Sequence, residues 1–595
     1  VKPAPPLAMR LHAAMRVALL PLFLLLLALL ASGEGQQSGL RSIVDLQAQR
    51  SSQSVLLWPA MGEPLKLELI NLNPQVNAWF LLIVDGGAGR PASFYHLENA
   101  SPAQQGLKLD PAQGGRLLIG PLGGPALDAR AATRPCQLWP GDALQQARQA
   151  KLVYAPLCEG RLFLRNPVRG RRSALEAGSE FLRDYVWSGE QIIGFVKREF
   201  YQDVFAERAE PAGQARTDAA NATALRLAGP AGAPAPADLS AKFNQTVPML
   251  PAAGLGLSLG SRGLLQAGQW YAAAASDGVF VSLAYPALLQ PAKPALALDA
   301  LEAEALSYLL AFDLSGMELG FALGTEHPRL NWSARASSDW VAGRPGGPDG
   351  IADAQPLVRT GMLSPQLQGR VLASFTGGFK REHGAFRHGA LAKVNRASHY
   401  GFIEQGVVFS RLVPGLATLY VLNDGQMGMK TWQAADNAAL LPHIRHARQN
   451  GVALLESGPA DAAPHVGALV GLWGAGNWSG SANEKQRTLR AGACLLEQGK
   501  RRYLVYGYFS TATPAAMAHV FNAYGCRYAM HLDMNALEHT YLALYPRHGE
   551  RIGVEHLVQG MLVLDKTQGE LLLPRFIGSA DDRDFFYMLR REVVR

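Results

Sequence analysis

With 595 residues, 48% hydrophobic and only 17% charged, the chain carries material for two or three folded units and is too apolar to be disordered. Its formal charge of +8 is scattered, with tight basic runs only at RGRR (169–172) and KRR (500–502). A nucleic-acid surface needs clustered charge with interleaved aromatics, so no nucleic-acid partner is expected.

Residues 1–35 read as a signal peptide or signal anchor. Arg10 and Arg16 precede the apolar run VALLPLFLLLLALLA (17–31), and small residues Ser32-Gly33-Glu34-Gly35 follow, the order of a secretory signal. The apolar run is shorter than the roughly 20 residues of a spanning helix. Membrane contact is therefore expected only through this segment, if it stays uncleaved. The chain opens on Val1, so translation is expected to start at Met9 or Met15. The expected location is periplasmic or extracellular. That compartment is oxidising, and the cysteines fall into two local pairs, Cys136 with Cys158 and Cys494 with Cys526. Either these form two disulfides or all four are buried thiols. Neither pair has CxxC spacing, so neither zinc-ribbon nor thioredoxin chemistry is indicated.

Residues 54–166 predict a β-rich, sandwich-like module. Leu65, Leu67 and Leu69 alternate with Lys66 and Glu68, and WFLLIV (79–84) is an apolar run closed by Asp85-Gly86-Gly87. A helical segment is expected over 167–205, where Ser173/Glu176 and Ser188/Gln191 have capping-box spacing. Residues 206–244, rich in Ala, Pro and Gly, read as a linker. From 245 to 595 the pattern predicts a mixed-sheet α/β domain. Its strands fall at 279–286, 306–314, 317–324 and 370–379. A hairpin-like pair covers 406–413 and 417–424, and a second hairpin turns at Gly499. Helices are expected over 434–450 and over 513–525, the latter with Thr513 as cap, Pro514 at the first position and Gly525 past the end. The class is α+β.

The most chemically loaded stretch is CRYAMHLDMNALEHTY, 526–541. A period of two puts His531, Asp533 and Asn535 on one face of a strand end, with Glu538 and His539 just beyond. Read alone, Asp533 suits a turn or cap, and the histidines suit satisfied polar positions. Together they form a candidate site.

Residues from about 300 to 565 are similar to the phosphodiester glycosidase family. SFTGGFK has Gly377, Gly378 and Phe379 where the family has Asn-Gly-Gly-Phe-Phe, with Thr376 in place of the asparagine. Gly401 to Gly406, Asp424-Gly425, Arg448-Gln449-Asn450, Ser457-Gly458 and Arg487-Thr488 follow in the family's order, with Arg490 an alternative to Arg487. The closing Asn-Leu-Asp-Gly-Gly-Gly-Ser corresponds to HLDMNALEHT, which keeps Leu532 and Asp533 but has His531 for asparagine and lacks the glycines.

The resemblance implies an exported glycosidase or phosphodiester hydrolase whose ligand is a glycan or sugar phosphate. Asp533 and Glu538 would be its carboxylates, and His531 or His539 its proton donor. Arg487 or Arg490 would hold a phosphate, Asn535 would contact substrate, and the Gly377-Gly378 turn would offer backbone donors. All of these would share one solvent-filled pocket at the ends of the 370s and 530s strands. Two alternatives stay open. One is a non-catalytic glycan- or partner-binding envelope protein. The other is a metal-dependent hydrolase in which His531, Asp533, Asn535 and His539, with His383 or His388, hold a divalent ion. His443 and His446 read as surface or core residues.

Overall fold

The computed structural model describes residues 42–172 and 249–592 apart from short internal stretches, the longest of which are 123–133, 380–400 and 471–486. The signal segment, most of the expected 167–205 helices, the linker at 206–244 and His383 and His388 lie outside the described residues. Described residues are mostly strand, and every registered pairing between named strands is antiparallel. Among the described residues parallel contacts occur only as isolated bridges, at Arg171 with Asp581 and Arg575 with Ser579. The expectation of mixed sheets is corrected accordingly. The β-rich composition has a local cause: short alternating runs separated by glycine turns suit hairpins better than crossovers.

In the N-terminal module a six-stranded sheet runs in the order Ser51–Leu57, Leu65–Asn71, Trp79–Asp85, Ser93–Asn99, Leu162–Arg165, Tyr154–Leu157. A three-stranded sheet of Gln105–Asp110, Arg116–Pro121 and Arg134–Cys136 shares its core, with Leu67, Leu69, Leu82 and Leu97 meeting Leu107, Leu117 and Ile119. The Cys136–Cys158 disulfide ties the small sheet to the end of Tyr154–Leu157. The described residues from Ser42 onward form one compact unit, and a polar seam joins the module to the rest. Val358 N–H donates to His96 Nδ1 at 2.8 Å, Tyr154 donates to the Met362 carbonyl at 2.8 Å, and Gln366 donates to Glu98 at 2.8 Å.

Three larger sheets carry the C-terminal part. The eight-stranded one centres on the Thr488–Gln498/Arg501–Ala512 hairpin, flanked by Cys526–Met534 and Ser307–Asp313. The Pro514–Ala523 helix begins at Thr513, whose hydroxyl accepts from Ala516 N–H. It packs against the hairpin at Gly492 and Gly507, where an added Cβ would come within 2.7 Å of Met517 and 2.9 Å of Phe521. A five-stranded sheet holds Val371–Thr376 beside Phe585–Arg590, and another centres on Ile444–Gln449.

Two expectations fail here. The 434–450 helix exists only as Asp436–Ala439 and a 3-10 turn at Leu441–His443, after which Ile444–Gln449 is a central strand. Pro442 cannot continue a helix, and the following residues are claimed by strands on both sides, Phe402–Glu404 and Ala417–Leu422. The runs at 406–413 and 417–424 likewise belong to different hairpins. Val407–Ser410 pairs with Phe402–Glu404, and Ala417–Leu422 pairs with Met427–Thr431.

Candidate functional site

Strand ends from the three larger C-terminal sheets meet at one place. Val371–Thr376 runs into Gly377-Gly378, Ile444–Gln449 ends at Asn450, and Cys526–Met534 ends at Asn535, which takes a left-handed φ of 81°. The start of Phe585–Arg590 brings Arg583 and Asp584 into the same region.

Asn450 joins the diglycine bend to the 530s strand. Its Oδ1 accepts from Phe379 N–H at 3.0 Å, and its Nδ2 donates to the carbonyls of His531 and Leu532 at 2.7 and 2.6 Å. Arg448 donates through Nε to Asp584 at 2.8 Å and through Nη2 to the Phe379 carbonyl at 2.9 Å. Gly377 N–H donates to the Asp584 carbonyl at 2.9 Å. This packing requires both glycines: a Cβ at Gly377 would lie 2.2 Å from Asp584 Oδ2, and one at Gly378 would lie 2.7 Å from Asn450 Oδ1. The turn approaches protein groups, and the donors of Gly377 and Phe379 are already engaged. His327 pairs with Asp584 through Nδ1 and lies 3.0 Å from the Phe379 carbonyl through Nε2. Burial alone would raise the Asp584 carboxyl, but Arg448 and His327 outweigh it and hold the group below the usual carboxylate range.

A second cluster surrounds Arg583. Its guanidinium pairs with Asp533 and donates to His539 Nε2 at 2.9 Å. Asp533 Oδ1 also accepts from Met534 N–H at 2.8 Å. His539 Nδ1 lies 2.6 Å from the Met534 carbonyl, so Nδ1 carries the proton and Nε2 accepts from Arg583: the imidazole is neutral. Glu538 Oε1 lies 3.5 Å from the same Nε2. His531 stacks on Phe379 with centroids 4.8 Å apart and accepts from Arg490 Nη1 at 3.1 Å. Burial first, and Arg490 second, push the His531 pKa well below its ordinary value. Burial lowers Arg490 to about 9, with Glu302 pulling the other way.

The structure thus brings His531, Asp533, Glu538, His539, Asn535, Gly377, Gly378 and Arg490 into one contiguous region. Arg487 is elsewhere, paired with Asp299 at 3.2 Å with both side chains solvent-exposed. The expected pocket differs in kind. Asp533 is 3% exposed and His531 and Arg490 are fully buried, so this joint is packed with side chains. Solvent reaches the cluster at the rim formed by Asn535, Ala536, Leu537 and His539. A divalent ion does not fit this donor set, because the Nε2 lone pairs of His531 and His539 each face an arginine. Among the described residues no group of three or more His, Cys, Asp or Glu is placed to share an ion.

Sequence reasoning passed over His327, Arg575, Arg583 and Asp584. The signal was present: ADDRD (580–584) sets four charged side chains directly before the apolar run FFYML. All four are at most 1% exposed, and charges so buried must find partners. Arg575, for instance, binds both oxygens of Asp581, at 2.6 and 2.9 Å.

The second disulfide, Cys494–Cys526, clamps the 530s strand to its neighbour near its start, with Cα atoms 5.9 Å apart. Two disulfides fit an exported protein. Among the described residues no helix is long and apolar enough to cross a membrane.

No protein-family profile and no curated protein matches the chain. Among solved structures, the zebrafish N-acetylglucosamine-1-phosphodiester alpha-N-acetylglucosaminidase catalytic domain, auto-inhibited by its pro-peptide, is similar at 11% identity and a TM-score of 0.28. The match covers 53% of this chain and 85% of that one. A hypothetical protein from Synechocystis matches at 9% identity and a TM-score of 0.26, over 91% of this chain and 99% of that one. Likenesses this weak decide neither family nor activity.

Proposed function

We propose that the chain is an exported, hydrolase-like protein acting on a sugar phosphodiester or related envelope glycan at the Asn535–His539 rim. The observation that carries this reading is the sharing of Arg583 between Asp533 and His539, with Glu538 beside the same imidazole nitrogen. Asp533 fixes Arg583, which in turn holds His539 beside Glu538 at the rim. Glu538, beside the rim, is the group that could exchange a proton with a leaving oxygen. Asp533 is a positioning residue in this reading.

The test is turnover by the full chain on a panel of sugar phosphodiesters. Wild type should hydrolyse at least one, and Glu538→Gln should lower kcat by about a hundredfold or more. Wild type inactive across the panel would overturn the reading. A second reading, a glycan-binding protein without turnover, draws on the burial of Asp533 and its ion pair with Arg583. It predicts saturable binding of the same panel with no product.

A further inference from the structure

At the opposite end of the central hairpin, Gly499 takes a φ of 58° and the chain reverses through Gly499 and Lys500 into Arg501 and Arg502. This is the KRR run that the candidate site leaves unused. The three cations line a cleft of about 160 Å³ together with Arg591, over an apolar wall that includes Met317 and Met427. Arg490 pairs with Met534 at the other end of the same strand. Eight residues at about 3.3 Å each put the cleft roughly 25 Å from the candidate site.

Cations outnumber carboxylates four to one in the lining of this cleft. Arg591 is anchored by neutral acceptors, donating through Nε to the carbonyls of Leu314 and Met317 at 3.3 and 3.0 Å and through Nη2 to Gly425 at 3.4 Å. Such bonds orient a guanidinium without cancelling its charge. Arg502 donates to the Met427 carbonyl at 2.8 Å and lies 3.3 Å from Glu497. The single carboxylate lining the cleft, Glu318, is paired with Arg370. The nearest aspartates along the chain close their own turns: Asp313 accepts from Ser315 and Asp424 from Gln426. Gly425 faces the cleft, where an added Cβ would sit 3.7 Å from both Arg591 Nη1 and Glu318 Oε2.

We propose that this cleft is a second binding site, which takes the phosphate groups of an anionic ligand. Fixed arginines over an apolar wall suit a charged group carried on a less polar body. The site does not depend on the hydrolase reading.

The test is calorimetric titration of the full chain with inorganic phosphate, with short-chain polyphosphate and with neutral dextran. Wild type should bind the two anions, more weakly at high salt, and ignore dextran. Lys500→Glu combined with Arg501→Glu, and separately Arg591→Gln, should each weaken binding about tenfold or more. Glu538→Gln should leave it unchanged. Polyphosphate binding far tighter than phosphate assigns the site to a polymer, and equal affinity per phosphate assigns it to a small anion. Wild type that binds neither anion, or a Lys500/Arg501 double variant that binds as wild type does, would overturn the proposal. The tip is exposed, so that variant tests the cleft without disturbing a core.

Discussion

Asn450 donates its side-chain amide to the His531 carbonyl at 2.7 Å, joining positions 81 apart in sequence. The same side chain holds Leu532 and Phe379, so a single buried amide satisfies two carbonyls and one N–H from different sheets. Asn450→Ala leaves all three short of a partner. Each buried orphan costs about 1–3 kcal/mol, so the substitution should lower stability by about 3 kcal/mol or more, read from urea unfolding at constant m-value. A change within about 0.5 kcal/mol, as at a surface position, would show that the bridge is dispensable.

Much of this meeting point was legible as pieces. The alternation around His531, the diglycine after an apolar strand, and Arg448-Gln449-Asn450 all stand out in the sequence. Thr513-Pro514 and Gly499 gave the helix start and the hairpin turn directly, because capping and reversal are decided by local backbone chemistry. Partnership was not legible. Arg490 and Arg487 look alike in sequence, yet one is buried against His531 and the other pairs with Asp299 at the surface. Ile444–Gln449 resembled a helix because its tertiary neighbours, two strands far off in sequence, override local propensity.

The Arg448–Asp584 pair gives an acid-dependent prediction. Both side chains are fully buried, and the carboxyl is held below its ordinary range in the folded state. A depressed carboxyl contributes stability that is complete above its unfolded value and lost as pH falls below it. Asp584→Asn strands Arg448 without its counter-charge, at a cost of about 3–5 kcal/mol near neutrality. That gap should narrow as pH drops below about 4, where the wild-type unfolded chain takes up the proton first. Urea titrations of both proteins from neutral to acid pH measure it. A gap that stays constant would mean that packing, not charge, sets the cost.

Glu404 predicts the opposite slope. It lies 5% exposed at the seam between the N-terminal module and the C-terminal sheets, and accepts from Leu323 N–H at 2.9 Å. Burial raises its carboxyl from the ordinary 4.5 to about 8, because Arg165 and the Leu323 amide offset only part of the desolvation and Glu98 adds like charge. Between those values the folded chain holds a proton that the unfolded chain has released, so stability falls as pH rises and levels off above about 8. Gln at this position keeps the acceptor for Leu323 and cannot ionise. Glu404→Gln should therefore match wild type near pH 5 and unfold at a higher temperature than wild type above about pH 8, with the curves parting in between. Calorimetric Tm values across that range decide it. Parallel curves would mean that Arg165 keeps the wild-type carboxylate charged at neutral pH, in which case the seam is held by an ion pair there and not by a neutral hydrogen bond.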